Sequence, residues 1–358
     1  LKRWLRQLHL WLALLFGLFI VCMSVSGAIL VYAKDLQTFL QPDKWQVQSQ
    51  SAPLSFSDVI SRVERQTQQR VELLMPESDS TLAWQLKLAN NQYVSVDPYT
   101  SEILHQYDYY STLYGFTMSL HRWLLYQDSD NQKPLRNWVS ICALAFIVEI
   151  LIGFYLWVKP KKRIKRLAIN PRAKFRILVY QLHTVVGVYM MVPLIMITFA
   201  GIAFNWQDAT QKVVETITFS EIETRPVPAP LTATAQPEPP EVDIAFAHAM
   251  NVFPAATLFR IYLPQKAGDH LGFRMQNPGE SHAYSWVWAD PYSGRVTGYY
   301  DASKANFTTQ VWHFKYKFHI GDFAGPVIQL LWFVIALLPC FFAASGIYFW
   351  LKRTKSKR

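Results

Sequence analysis

The sequence predicts an α-helical membrane protein: four transmembrane helices and two small α+β domains outside the bilayer, arranged as an internal duplication. Three observations predict it. Four stretches are long and apolar enough to cross about 30 Å of hydrocarbon, namely 8–32, 138–158, 177–206 and 327–351. Charge is segregated along the chain, and one set of motifs occurs twice. The composition agrees: 51% of the 358 residues are hydrophobic and only 17% charged, too apolar for an ordinary soluble protein.

The charge pattern sets the topology. Lys2, Arg3 and Arg6 precede the first span. Lys159, Lys161, Lys162, Arg163, Lys165, Arg166, Arg172, Lys174 and Arg176 lie between the second and third, and Lys352, Arg353, Lys355, Lys357 and Arg358 follow the fourth. These segments hold 17 of the 35 basic residues, whereas 24 of the 25 acids lie in 33–137 and 207–326. Basic residues mark the cytoplasmic side, so both termini are expected there. The net charge of +10 is therefore a topology signal, and nucleic acid is not an expected partner. The first span exceeds a signal-peptide core and lacks an evident cleavage site, so it is expected to be retained.

In chain order, the reading is as follows. Residues 1–33 form the first transmembrane helix. Residues 34–108 form a first outer domain, with an amphipathic helix at 55–69 and strands at 82–88 and 93–96 before the turn Asp97-Pro-Tyr-Thr-Ser-Glu102. An aromatic-rich interfacial helix and loop occupy 109–135. The second span is 136–158, a basic cytoplasmic loop 159–176, and the third span 177–206. A segment at 207–240 ends in a proline-rich extended linker from Pro226 to Pro240. The second outer domain and its connection fill 241–325, with a helix near 242–251, strands near 257–263, 270–276 and 284–288, and the turn Asp290-Pro-Tyr-Ser-Gly-Arg295. The fourth span is 326–351, with a cytoplasmic tail at 352–358. Gln7-Leu-His9 opens span one as Gln181-Leu-His183 opens span three. Gly153-Phe-Tyr-Leu-Trp157 closes span two as Gly346-Ile-Tyr-Phe-Trp350 closes span four.

Histidines carry the candidate chemistry. His105, His248, His270 and His282 lack ligand-like spacing and read as surface or hydrogen-bonded residues. Five others lie at membrane edges. Gly27 follows His9 by eighteen residues, and Gly201 follows His183 by the same interval, five turns and about 27 Å along one helix face. A helix lining two stacked flat cofactors needs this spacing: imidazole ligates one iron, and glycine leaves room for the second macrocycle. The alternative is histidine at the interface and glycine for close helix packing. On the outer side stand His121 and either His319 or His313. Alignment from the Asp-Pro-Tyr turns favours His313 and alignment from the helix entrances His319, which is preferred because it is nearer its span. Two bis-histidine haems, of the non-covalent b type, are the expected cofactors, since Cys22, Cys142 and Cys340 all lie within spans. Glu149, in mid-span, reads equally as a proton-handling group or as a protonated acid bonded to a neighbouring helix.

The Arg6–Trp11 entry, the Asp-Pro-Tyr turns, the segment His319–Gly325 and the Gly-x-Tyr-x-Trp exits together resemble the PepSY-associated transmembrane family, over nearly the whole chain. Within it the sequence is similar to bacterial inner-membrane ferric-siderophore reductases. That resemblance implies periplasmic PepSY-like domains, His9 and His183 as cytoplasmic-side haem ligands, and His121 with His319 as periplasmic ones. It also implies a ferric siderophore or other Fe3+ chelate as substrate, an unidentified electron donor, and the lipid bilayer as surroundings. The first turn departs from the pattern, with Ser101 in place of glycine. Two other classes stay open: a non-catalytic module that binds or inhibits a periplasmic protein, and a small transporter.

Overall fold

A computed structural model of the chain describes residues 2–158, 164–232 and 240–355. Lys159, Lys161, Lys162 and Arg163 of the expected cytoplasmic loop, Lys357 and Arg358 of the tail, and residues 233–239 of the expected linker lie outside the described residues. The elements run α1 (Lys2–Leu40), α2 (Pro42–Trp45), α3 (Phe56–Thr67), β1 (Val71–Met75), β2 (Trp84–Leu88), β3 (Tyr93–Val96), β4 (Ile103–Tyr107), α4 (Leu113–Trp123), α5 (Leu135–Val158), α6 (Phe175–Tyr189) and α7 (Met191–Ile202). They continue with α8 (Gln207–Thr218), α9 (Val242–Val252), β5 (Thr257–Tyr262), β6 (Leu271–Gln276), β7 (Ser285–Ala289), β8 (Val296–Tyr300), α10 (Phe307–Ile320) and α11 (Pro326–Lys355). Two compact units result. One comprises Leu1–Ala33, Phe116–Val213 and Lys315–Arg358, the other Lys34–Gly115 and Val214–Phe314.

The first unit is helical. Among the described residues, α1, α5 and α11 are each long and apolar enough to cross a membrane, and α6 with α7 adds a fourth crossing if that bent pair is one span. The helices in the region of the expected third span are bent by 61° at Met190. Pro193 supplies the cause: it has no N–H to donate to the carbonyl of Tyr189, and its ring crowds that carbonyl. Polar ties between helices are few and specific. Ser24 donates to the Ala336 carbonyl, Gln329 to that of Val31 at 3.0 Å, and Asn205 to Asn137 and Ser140 at 2.9 Å each. Leu194, Trp332 and Ile335 form a small core with Phe318, Phe323 and Phe342 packed around it.

The second unit corrects an expectation. The two outer segments do not form separate domains; they share one antiparallel sheet of eight strands in the order β4-β3-β2-β1-β5-β6-β7-β8. The seam is β1 against β5, with Leu73 opposite Tyr262 and Leu74 opposite Ile261. The physical reason is burial. β1 is apolar on the side chains that face α3, and pairing it with β5 merges two small cores into one that spans Val59, Leu74, Leu86, Val94, Ile261, Phe273 and Val287. The two helices on this core are also joined, because the Asp243 carboxylate of α9 accepts from the N–H groups of Phe56 and Ser57 at 2.9 and 3.1 Å. Those are two of the unpaired donors at the start of α3, whose other cap is Ser55.

The twin turns match in conformation despite the sequence departure. In each, the aspartate carboxylate accepts from the N–H two residues on, Tyr99 at 2.7 Å and Tyr292 at 2.9 Å. Ser101 adopts φ 63°, as Gly294 does at φ 66°. Left-handed backbone is costly for a residue with Cβ, and among the described residues the buried Ser101 hydroxyl has no hydrogen-bond partner to offset it. The substitution Ser101→Gly is expected to stabilise the sheet by about 1 kcal/mol, read as a higher urea midpoint in tryptophan fluorescence. A lower midpoint would show that serine makes a contact the turn needs.

Candidate functional site

Four of the five edge histidines share a construction. His9, on α1, donates from Nδ1 to the Glu149 carbonyl on α5 at 3.1 Å. His121, on α4, donates to the Met23 carbonyl on α1 at 3.0 Å, and His319, on α10, to the Ile197 carbonyl on α7 at 2.9 Å. His183, on α6, meets the Ser345 hydroxyl of α11 at 2.6 Å. That hydroxyl also lies 2.8 and 3.0 Å from the Phe341 and Phe342 carbonyls; when it donates to them, its oxygen is free to accept from the imidazole. A carbonyl accepts only, so in His9, His121 and His319 the proton is on Nδ1 and the lone pair on Nε2, and the Ser345 contact favours the same tautomer in His183. Among the described residues no protein group hydrogen-bonds to those Nε2 atoms. Metal-ligating histidines commonly donate their other N–H in this way, which fixes ring orientation and raises basicity.

The outer rings are a pair. The His121 and His319 ring centroids are 6.2 Å apart with planes inclined at 53°. Two imidazole nitrogens each about 2 Å from a shared metal place the ring centres about 6 Å apart. The spacing therefore fits one iron between the rings. Burial, and then the neighbouring His319, holds the His121 imidazole far below its ordinary value, at about 4; burial also lowers His319. Both rings are thus neutral at physiological pH.

Gly27 and Gly201 each stand against one of the outer imidazoles. A Cβ on Gly27 would stand 3.0 Å from His121 Cε1, and one on Gly201 would stand 3.1 Å from His319 Cε1. The room left by each missing side chain is taken by an imidazole. Gly153 meets His9 similarly, at 3.4 Å. Each of these glycines lies four residues after the carbonyl that its histidine bonds, so the ring lies along one helical turn with Nδ1 at one end and Cε1 over the glycine. Since Gly27 is five turns from His9, the two histidine levels on α1 are about 27 Å apart.

His313 does not join the pair. It lies six residues before His319 on α10, about 240° around the helix. Its ring stacks on Tyr284 at 3.9 Å and 7°, and the Tyr284 hydroxyl donates to the His313 carbonyl at 2.8 Å. Together with Glu280 and Gln310 these residues line a cavity of about 270 Å3 in the sheet unit. Burial pushes the Glu280 carboxyl up, although the Ser285 hydroxyl donates to it at 2.6 Å. Glu149 enters the site through its backbone, as the His9 acceptor; among the described residues its carboxylate has no hydrogen bond. Of the remaining histidines, His248 bonds the Gly294 carbonyl and His270 the Ala229 carbonyl, while His105 stacks on Tyr107 and His282 packs against Phe259. Sequence reading missed Ser345. Its signal was the Ser-Gly pair at 345–346, which repeats Ser26-Gly27, where the Ser26 hydroxyl lies 3.2 Å from His121 Nδ1.

Several long apolar helices joined to an antiparallel sheet define a polytopic membrane protein with a folded extramembrane domain. The sequence matches the PepSY-associated TM region over residues 6–353, and the chain belongs to that family. No curated protein matches it.

Proposed function

We propose that the chain is a haem-dependent transmembrane reductase of ferric chelates, siderophores above all, in a bacterial inner membrane. His9 with His183, and His121 with His319, would each hold one haem b. The observation that carries this reading is the 6.2 Å pairing of His121 and His319, with both Nδ1 protons committed to backbone carbonyls. When bound, bis-imidazole haem supplies one-electron transfer with no coordination position open to oxygen. The chain's own work is to hold neutral imidazoles in fixed tautomers at two levels about 27 Å apart, close to the roughly 30 Å thickness of a hydrocarbon core. The basic loops assign the His9 and His183 level to the cytoplasm and the sheet to the periplasm, with four spans and a duplicated plan. No acid–base catalyst is required. One-electron reduction lowers the charge on iron, weakens its hold on hard oxygen ligands and releases it.

The direct test is the visible spectrum and pyridine-haemochrome content of protein purified from haem-replete cells. A sharp Soret band, split α and β bands on dithionite reduction, two haems per chain and reoxidation by a ferric chelate are expected. A colourless preparation would sink the reading.

A further inference from the structure

We infer that the basic groove at the start of α6 seats the carboxylates of the inner haem, with Lys174 and Arg176 as their counter-charges; this rests on the haem reading above. The groove has a volume of about 460 Å3 and is lined by Lys174, Arg176, Ile177, Tyr180 and Phe349. It lies within the helical unit, and one of its lining residues, Phe349, packs against a candidate ligand. Arg176, Tyr180 and His183 recur at i, i+4 and i+7, which is one face of α6, and Arg176 stands about 10 Å from His183 along the axis. Phe349 is the shared wall: its ring packs edge-on against Tyr180 at 6.2 Å and against His183 at 6.5 Å.

Haem b is apolar around most of its perimeter and carries two carboxylates on one edge. A groove that is aromatic and aliphatic toward the histidine and cationic at its far end matches that division. Further positive charge surrounds it. Arg166 donates to the Tyr180 hydroxyl at 3.0 Å, and no acid occurs between residues 164 and 176. Lys174 precedes α6 without capping the helix through its side chain, so the positive end of the helix dipole faces the same region. A phospholipid phosphate shares the anionic chemistry. It has no need of the aromatic wall against His183, however, and would be served equally by any basic residue of the loop.

The test compares haem loss from detergent-solubilised protein to excess apomyoglobin, where the inner phase is the one missing in His183→Ala. In Lys174→Gln/Arg176→Gln the inner phase should accelerate roughly ten- to a hundredfold, the equivalent of one lost charge-assisted hydrogen bond. The outer phase should stay unchanged and thereby report an intact fold. Lys174→Arg/Arg176→Lys should keep the wild-type rate. Reconstitution of haem-free wild type with iron protoporphyrin dimethyl ester should also give fast inner loss, while the glutamine variant should not distinguish ester from free acid. Equal inner loss of ester and acid from wild type overturns the inference, and this comparison decides if the variant fails to fold. An unchanged inner rate combined with lower phosphatidylglycerol retention by the variant also overturns it, and marks a lipid site. Wild type that binds no haem at all refutes the parent reading instead.

Discussion

Replacing His319 by alanine is expected to cut haem content from two per chain to one. It should also reduce ferric-chelate reduction across a vesicle membrane by at least about a hundredfold. The ring pairs with His121 at 6.2 Å, and its Nδ1–H is held by the Ile197 carbonyl. Without it the outer haem would have one imidazole donor instead of two and should be lost, and any fraction retained should show a broadened Soret band without the low-spin spectrum. His313→Ala is the matched control, on the same helix. Its ring is taken up by Tyr284, so both haems and the low-spin spectrum should remain, even if chelate affinity changes. The opposite pattern, haem loss from His313→Ala and none from His319→Ala, would overturn the ligand assignment.

The second large effect is expected at residues with no donor atom. Gly27→Val and Gly201→Val place a branched side chain where a single Cβ already approaches His121 or His319 to 3.0 or 3.1 Å. Backbone and ring cannot both stay in place, so each variant should lose the outer haem selectively and keep the inner one. Alanine should be milder, since a shift of a few tenths of an ångström relieves it. Gly346→Ala, whose Cβ would meet nothing within 4 Å, should bind two haems. Glycine is the poorer helix former, so any loss at 27 or 201 cannot be ascribed to helix propensity. Two bound haems in Gly27→Val, with an unchanged spectrum, would mean that the imidazole sits elsewhere.

Much of this was legible in the sequence, and the division follows the range of the interactions. Apolar length revealed the spans, and the local period of 3.6 put His9 and Gly27 on one face. The Asp-Pro-Tyr turns were visible because their hydrogen bonds close within four residues. The bend at Met190 was encoded in Pro193, yet uninterrupted hydrophobicity from Ile177 to Trp206 hid it. β1 was missed because it buries adjacent Leu73 and Leu74 without strict alternation, and β4 and β8 because at most one side chain of each is buried. The carbonyls of Glu149, Met23 and Ile197 could not be found from sequence at all, since a backbone acceptor has no residue-type signature. The neighbour of Gly27 was hidden for the same reason: His121 is 94 residues away.

The seam between β1 and β5 has a consequence for biogenesis. Val71–Met75 leaves the ribosome long before Thr257–Tyr262, and the apolar helices α5, α6 and α7 are synthesised between them. Through that interval the first four strands present a raw edge, with half their eventual apolar cover still missing. Assembly therefore waits on the last third of the polypeptide, so a chain truncated after α7 should be a substrate for holdases and quality-control proteases rather than a stable half-protein.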